Sequence, residues 1–235
     1  MESTWQTSDG SVRLFLGDCR DILPTLDVDV VITDPPYEIT AAGGGIVATR
    51  KDLHETEGFT DCGFDYRILS QFDNWVCFGT LRQVPKLIES VGKRRWMLIT
   101  WNKPNPCPLV NGNYLPDTEY IIHAWSKGQL FGGFNDKARF IVHPLGDKEH
   151  GEHPNEKPMR VMRKLVSLAS DEGHTVLDPF MGSGTTGVAC LRTGRRFVGI
   201  ERDQRWFQVA VDRIEAELGR APLFDEPAAI QRELI

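Results

Sequence analysis

The sequence predicts a doubly wound α/β domain built on a mostly parallel sheet. Two observations predict it. Apolar residues recur in continuous rather than alternating runs, the pattern of strands covered on both faces. Between and after these runs, apolar residues fall at spacings of three and four, the pattern of helices that bury one side. Several runs also stop at an acidic residue beside glycine or proline, so the strand ends are sharply marked.

Taken in order, Val12–Leu16 is the first apolar run and stops at Gly17-Asp18. Val28–Thr33 follows, with Val30, Val31 and Ile32 consecutive, and runs directly into Asp34-Pro35-Pro36. Trp75–Phe78, Trp96–Trp101 and Glu119–Trp125 are aromatic and β-branched. Met159, Met162, Leu165, Val166 and Ala169 carry helical spacing. Val176-Leu177 leads into Asp178-Pro179, and a short helix through Val188, Ala189 and Leu191 is expected to stop near Gly194. Arg196–Ile200 then ends at Glu201, and Phe207, Ala210, Val211, Ile214 and Leu218 form the last helical stripe. Residues 38–66 and 126–156 break the pattern, and long irregular stretches in a compact domain are usually functional or disordered. The tail after Gly219 has no clear pattern.

Bulk properties narrow the function classes. With 235 residues, 40% hydrophobic and 26% charged, the chain has the size and composition of one soluble domain. It holds no apolar run long enough to span a membrane and no secretory leader pattern, so a cytoplasmic location is expected. The five cysteines are scattered with no C-x-x-C pair, which predicts reduced thiols and no metal site. A net charge of −6 argues against a surface coated by nucleic acid, but not against a local basic face.

Two segments carry chemistry. Val176–Thr186 reads as strand, glycine turn, helix, with Gly182, Gly184 and Gly187 in G-x-G-x-x-G spacing. No lysine follows in the place a phosphate-binding loop requires. Glu201, 17 residues after Gly184, sits where ribose hydroxyls are held in nucleotide-type α/β sites. The second segment is Asp34-Pro35-Pro36-Tyr37. Its prolines stiffen the backbone and remove two donors. Asp34 and the Pro35 carbonyl are then placed to accept both N–H bonds of one amino group. An exocyclic base amine is a poor nucleophile because its lone pair is delocalised into the ring. Accepting both hydrogens favours a pyramidal nitrogen able to attack a methyl sulfonium in line, with no metal required. Tyr37 offers a face on which an extruded base would stack.

This combination resembles the β class of amino-directed DNA methyltransferases, in which the catalytic motif precedes the cofactor motif. His153-Pro154-Asn155-Glu156-Lys157-Pro158 is similar to the family's His-Pro-Thr-Gln-Lys-Pro segment, departing at Asn155 and Glu156. Gly17-Asp18-Cys19 resembles the segment whose acidic residue meets the cofactor adenine. The resemblance implies a circularly permuted, Rossmann-like methyltransferase fold of seven strands, with S-adenosylmethionine as cofactor. It implies one domain: residues 12–125 as catalytic half, 126–152 as candidate DNA-recognition region, 153–218 as cofactor half, and 219–235 as tail. Asp178, Phe180, Gly182, Ser183 and Gly184 would line the cofactor site, Thr185 or Lys157 would hold the methionine carboxylate, Glu201 the ribose, and Asp18 with the Cys19 backbone the adenine.

Lys127, Lys137 and Arg139 are candidates for phosphate contact, and Asn135 for base reading. Arg50 and Lys51 are candidates for closing over the flipped base. Adenine-N6 methylation of double-stranded DNA is the leading expectation. Cytosine-N4 methylation is the rival, since both bases present an amino group; Asp rather than Ser at position 34 favours adenine. A catalytically idle DNA-binding regulator is the alternative from another class. So small a recognition region suggests a homodimer on a palindromic site, and a cognate restriction endonuclease is a possible partner.

Overall fold

The computed structural model describes residues 2–36, 65–106, 114–146 and 156–220. Arg50, Lys51 and Tyr37 therefore lie outside the described residues, as do His153, Pro154 and Asn155.

Among the described residues the strands are β1 (Trp5–Gln6), β2 (Val12–Leu16), β3 (Val30–Thr33), β4 (Asn74–Gly79), β5 (Arg95–Asn102), β6 (Thr118–Trp125), β7 (Phe140–Val142), β8 (Thr175–Asp178) and β9 (Arg196–Glu201). They form one sheet in the order β1-β2-β9-β8-β3-β4-β6-β5-β7. The seven expected strands are all present. The additional β1 and β7 are edge strands of two and three residues, too short to register as apolar runs. β6 runs against its neighbours β4 and β5, and β1 against β2; the other pairings are parallel.

The strands read as continuous apolar runs because successive side chains enter two different cores. Val30 and Ile32 face one side and Val31 the other; Val76 and Phe78 alternate in the same way with Trp75 and Cys77. The first core is closed by α3 (Met159–Ala169), α4 (Thr185–Leu191) and α5 (Gln204–Leu218). The second is closed by α1 (Cys19–Ile22), the 3-10 turns at Leu23–Thr25 and Tyr66–Gln71, and α2 (Val84–Val91). Each fully buried large side chain such as Trp75, Phe78 or Leu165 contributes on the order of 1.5–3 kcal/mol of transfer free energy. Leu218, expected on the buried stripe of α5, is exposed, because it lies in the last turn where the helix runs past the sheet. α4 is stopped at Arg192, ahead of the expected Gly194, which takes a positive φ of 71°.

The order of the strands places the functional edge. From β8 the chain crosses by α4 to β9 on one side, whereas β3 leads to β4 on the other. Strand order therefore reverses between β8 and β3, and crevices at the carboxyl ends of such strands are where ligands bind in doubly wound sheets. The carboxyl ends of β2, β9, β8, β3, β4 and β5 and the amino end of the reversed β6 all meet this edge. None of the described helices is long and apolar enough to cross a membrane.

Candidate active site

Asp34 and Asp178 face each other across the reversal point, one leaving β3 and the other ending β8. Asp178 is 4% exposed and its carboxylate is fully engaged in local structure. Its Oδ1 accepts from the Thr33 hydroxyl at 3.0 Å and from the Phe180 amide at 3.1 Å. Its Oδ2 accepts from the Thr186 hydroxyl at 2.6 Å. It thus ties β3, the glycine turn and the start of α4 together. Burial, reinforced by the charge of Asp34 and only partly offset by the three donors, raises its pKa to about 6. Pro35 is buried and Pro36 half-buried, so the rigid pair after Asp34 is packed as well as stereochemically stiff.

Asp34 opens a chain of four alternating charges. Lys157, from the segment before α3, donates to Asp34 Oδ2 and lies 3.5 Å from Glu119 Oε2. Lys103, just past β5, donates to Glu119 Oε1 at 2.7 Å. The two ammonium groups also stand 5.0 Å from aromatic centroids, Lys157 over Phe78 and Lys103 over Trp101. Burial opposes the charge on Lys157, but Asp34 and Glu119 outweigh it and hold the lysine more basic than usual. Burial likewise opposes the charge on Glu119, yet Lys157 and Lys103 bring its pKa below the ordinary carboxylate value. Lys157 therefore touches the residue expected to accept the target amine, a contact between positions 123 residues apart in the chain.

The glycine turn is built from its own backbone and from α5. Gly182 has φ 50° and Gly184 φ 79°, both in the left-handed region that side chains resist. A Cβ on Gly184 would stand 3.0 Å from Ala210 Cβ, so this glycine lets α5 pack on the turn. Glu201 closes the turn: Oε2 accepts from the Gly182 amide at 3.0 Å, and Oε1 from the amides of Arg202 and Asp203 at 2.8 Å. Burial raises its pKa despite these donors. Three backbone donors leave about one acceptor position for a hydroxyl, at Oε2. Arg213, 4% exposed on α5, donates through Nη1 to the Ser183 carbonyl (2.7 Å), the Ser183 hydroxyl (2.8 Å) and the Thr185 hydroxyl (3.1 Å). Its Nη2 donates to buried Glu156 at 2.9 Å. Adjacent residues Glu156 and Lys157 thus pin the glycine turn through Arg213 and the Asp-Pro-Pro loop through Asp34.

Asp18 reaches the same edge after β2, where it caps α1 by accepting from the Arg20 amide at 2.9 Å. The Arg20 guanidinium also grips it, which lowers its pKa to about 2. Cys19 is buried, and its thiol is pushed up to about 11 by burial and by the Asp18 charge. Phe180 is half-buried beside the turn.

Among the described residues, the candidate DNA contacts Lys127, Asn135 and Lys137 lie away from this edge. Trp125 pairs with Asn74 at the start of β4, so exposed Lys127 just beyond it lies at the opposite end of the sheet. The reason is the reversal of β6. Asn135 and Lys137 form a 3-10 turn in the segment packed near the C-terminal end of α3, where the Phe131 amide bonds the Leu168 carbonyl at 3.0 Å. Exposed Arg139 precedes edge strand β7, and its carbonyl accepts from the Thr100 amide at 2.9 Å.

Glu119, Lys103 and Arg213 are site residues that sequence reasoning missed. Arg213 stands three residues after Ala210 on the apolar stripe of α5, a position where a solvated arginine is out of place. That was the available signal. Trp101 is buried, with its indole donating to the His143 carbonyl at 2.8 Å, as a core residue.

Comparison with known proteins sets these features in context. A family described as DNA methylase, of the N6/N4 type, matches residues 136–212. The type II methyltransferase M2.DpnII of Streptococcus pneumoniae is 29% identical over 81% of this chain and 83% of its own length. M2.MboI of Moraxella bovis is 25% identical over 89% of each chain. Among solved structures, a complex of M1.HpyAVI with S-adenosylmethionine superposes with a TM-score of 0.63 at 26% identity, over 86% of this chain and 99% of that one. The cytosine-N4-specific PvuII DNA methyltransferase gives a TM-score of 0.65 at 13% identity over 92% and 93%, a likeness of fold alone. The likeness extends over most of the chain, and the family match spans the Lys157 segment, the glycine turn and Glu201. The chain is therefore similar, over most of its length, to DNA methyltransferases of the amino-directed, N6/N4 type.

Proposed function

We propose that this chain is a site-specific adenine-N6 methyltransferase acting on an adenine rotated out of double-stranded DNA. The observation that carries the reading is Asp34 at the tip of β3, across the reversal point from Asp178 and the glycine turn. The residues fit S-adenosylmethionine: a buried cation at Lys157 suits a carboxylate, and Glu201 keeps an acceptor position for a hydroxyl. When bound, the cofactor supplies a methyl group on a sulfonium, an electrophile that needs no further activation. Lys157 or Thr185 would hold its carboxylate, Glu201 its ribose, and Asp18 with the Cys19 backbone its adenine, with Phe180, Gly182, Ser183 and Gly184 shaping the wall between.

Asp34 and the Pro35 carbonyl accept the two N–H bonds of the target amine and free its lone pair toward the methyl group. Tyr37 stacks on the extruded base. Aspartate at position 34 is what favours adenine over cytosine; the fold alone does not argue against cytosine, since the cytosine-N4-specific PvuII enzyme shares it. Arg50 and Lys51 remain proposed to close over the flipped base and Arg139 to contact phosphate, whereas Lys127, Asn135 and Lys137 would meet DNA only on a second surface.

Incubation with labelled cofactor and DNA, then digestion to nucleosides, tests the target. Label in N6-methyladenine is expected; label only in N4-methylcytosine refutes the adenine assignment. Asp34→Ala is expected to abolish transfer, by 10²-fold or more on the order of a lost acid–base or orienting group, with cofactor affinity held within about threefold. The enzyme is further proposed to act in the cytoplasm as a homodimer on a palindromic site, paired with a restriction endonuclease. Light scattering that finds a monomer both free and on DNA rules out the dimer.

A further inference from the structure

We propose that Glu119 and Lys103 are positioning residues for methyl transfer, with Glu119 acting as a waiting second acceptor for the Lys157 ammonium when the target amine takes over Asp34. The inference rests on the reading of Asp34 as the amine acceptor. Four elements converge to make the array: Asp34 from β3, Lys157 from the segment before α3, Glu119 from β6 and Lys103 from just beyond β5. The lysine side chains are 10% and 9% exposed, so water does little to screen them. Their formal charges cancel two against two.

The carrying observation is the asymmetry of Glu119. Its Oε1 is bonded to Lys103, whereas buried Oε2 has no hydrogen-bond partner and stands 3.5 Å from Lys157. A buried carboxylate oxygen held only by a long ion pair is less well satisfied than one that accepts a short charge-assisted hydrogen bond. A displacement of well under 1 Å would bring the Lys157 ammonium to a normal N–H···O distance from it.

Glu119 is itself held firmly. It pairs with Trp101 in the β5–β6 ladder, and the Lys103 amide bonds the Asp117 carbonyl at 2.7 Å. With Glu119 present, an ammonium that leaves Asp34 exchanges one carboxylate for another. Without it, the ammonium loses the second carboxylate of this array, and the target amine must compete with a tighter Lys157–Asp34 ion pair. Lys103 supplies the charge that lets Glu119 stay ionised in this buried place.

The test compares Glu119→Gln, Lys103→Met and the double variant by steady-state transfer with labelled cofactor. Glu119→Gln is expected to lower kcat roughly tenfold, the effect of about one unit of altered acceptor strength, while KM for the cofactor moves less than about threefold. Lys103→Met together with Glu119→Gln restores neutrality but supplies no second acceptor, so it is expected to stay at least as slow as Glu119→Gln. Recovery of kcat in the double variant would show that net charge alone matters. Wild-type kcat in Glu119→Gln, or recovery in the double variant, overturns the proposal.

If Glu119→Gln does not fold, Glu119→Asp keeps the charge and shortens the reach. It is expected to lower kcat about threefold or more at unchanged KM, and an unchanged kcat overturns the proposal equally. Asp34→Ala assayed alongside separates the two ideas: activity there refutes the underlying role of Asp34, whatever Glu119 does.

Discussion

Asp178→Asn should stabilise the cofactor-free protein at neutral pH and leave it unchanged in mild acid. The side chain is buried, with a pKa raised from 3.8 to about 6, burial being the largest cause. A carboxyl whose folded pKa is raised contributes stability that is fully present below its unfolded value and is lost as pH rises through its folded value. Roughly two units at about 1.4 kcal/mol each gives a cost of about 3 kcal/mol for the ionised form. Asparagine mimics the protonated acid. Its carbonyl can accept from the Thr33 hydroxyl and the Phe180 amide, and its amide can donate to the Thr186 oxygen.

The comparison must be with the variant because wild type carries an opposing group. His123 is buried against Asn74 Oδ1 at 3.0 Å, and burial lowers its pKa to about 4. Its contribution is present above the unfolded value of 6.5 and is lost as pH falls toward about 4. Over nearly the same window, then, Asp178 and His123 pull in opposite directions, so the wild-type profile by itself does not isolate Asp178. Urea unfolding at steps from about pH 4 to pH 8 gives the free energy at each pH. The variant should pull ahead through this range and reach a plateau near 3 kcal/mol above about pH 7. A difference that does not change with pH, or a variant less stable than wild type at neutral pH, refutes the burial argument.

Two further outcomes follow from the glycine turn. Arg213→Met removes the cation 2.9 Å from buried Glu156 and three bonds to Ser183 and Thr185, and should cost about 3–5 kcal/mol in urea unfolding. Adding Glu156→Gln should return part of it, and strictly additive losses would show that the pair is not coupled. Gly184→Ala must take φ 79° and set a Cβ 3.0 Å from Ala210, so it should lower stability by about 1–3 kcal/mol and weaken cofactor binding. Wild-type stability and affinity together would mean that α5 yields more readily than its packing implies.

The long strands were legible because both faces of the sheet are covered. Where Val30, Val31 and Ile32 enter two cores in turn, an unbroken apolar run is the direct consequence. β1 and β7 escaped because edge strands of two or three residues need no hydrophobic signature. α2 escaped because its eight residues bury only Leu87, Ser90 and Val91, too few for a clear apolar stripe. Glycines 182 and 184 both adopt positive φ, and at Gly184 the group that approaches closely is Ala210 of the protein itself.

By itself the sequence determined the fold class, the order of its two halves, and the loop and turn that carry the chemistry. These are local properties, written in runs, spacings and short motifs that need no knowledge of distant neighbours. Which charges meet was decided only by tertiary structure. Asp34, Lys103, Glu119 and Lys157 are scattered over more than a hundred residues, and their meeting depends on strand order and on the reversal of β6. The same reversal carries Lys127 to the far end of the sheet, away from the edge that a linear reading of residues 126–152 suggested. Electrostatic attraction acts over a few ångströms of space, and sequence separation says nothing about that distance until the sheet is assembled.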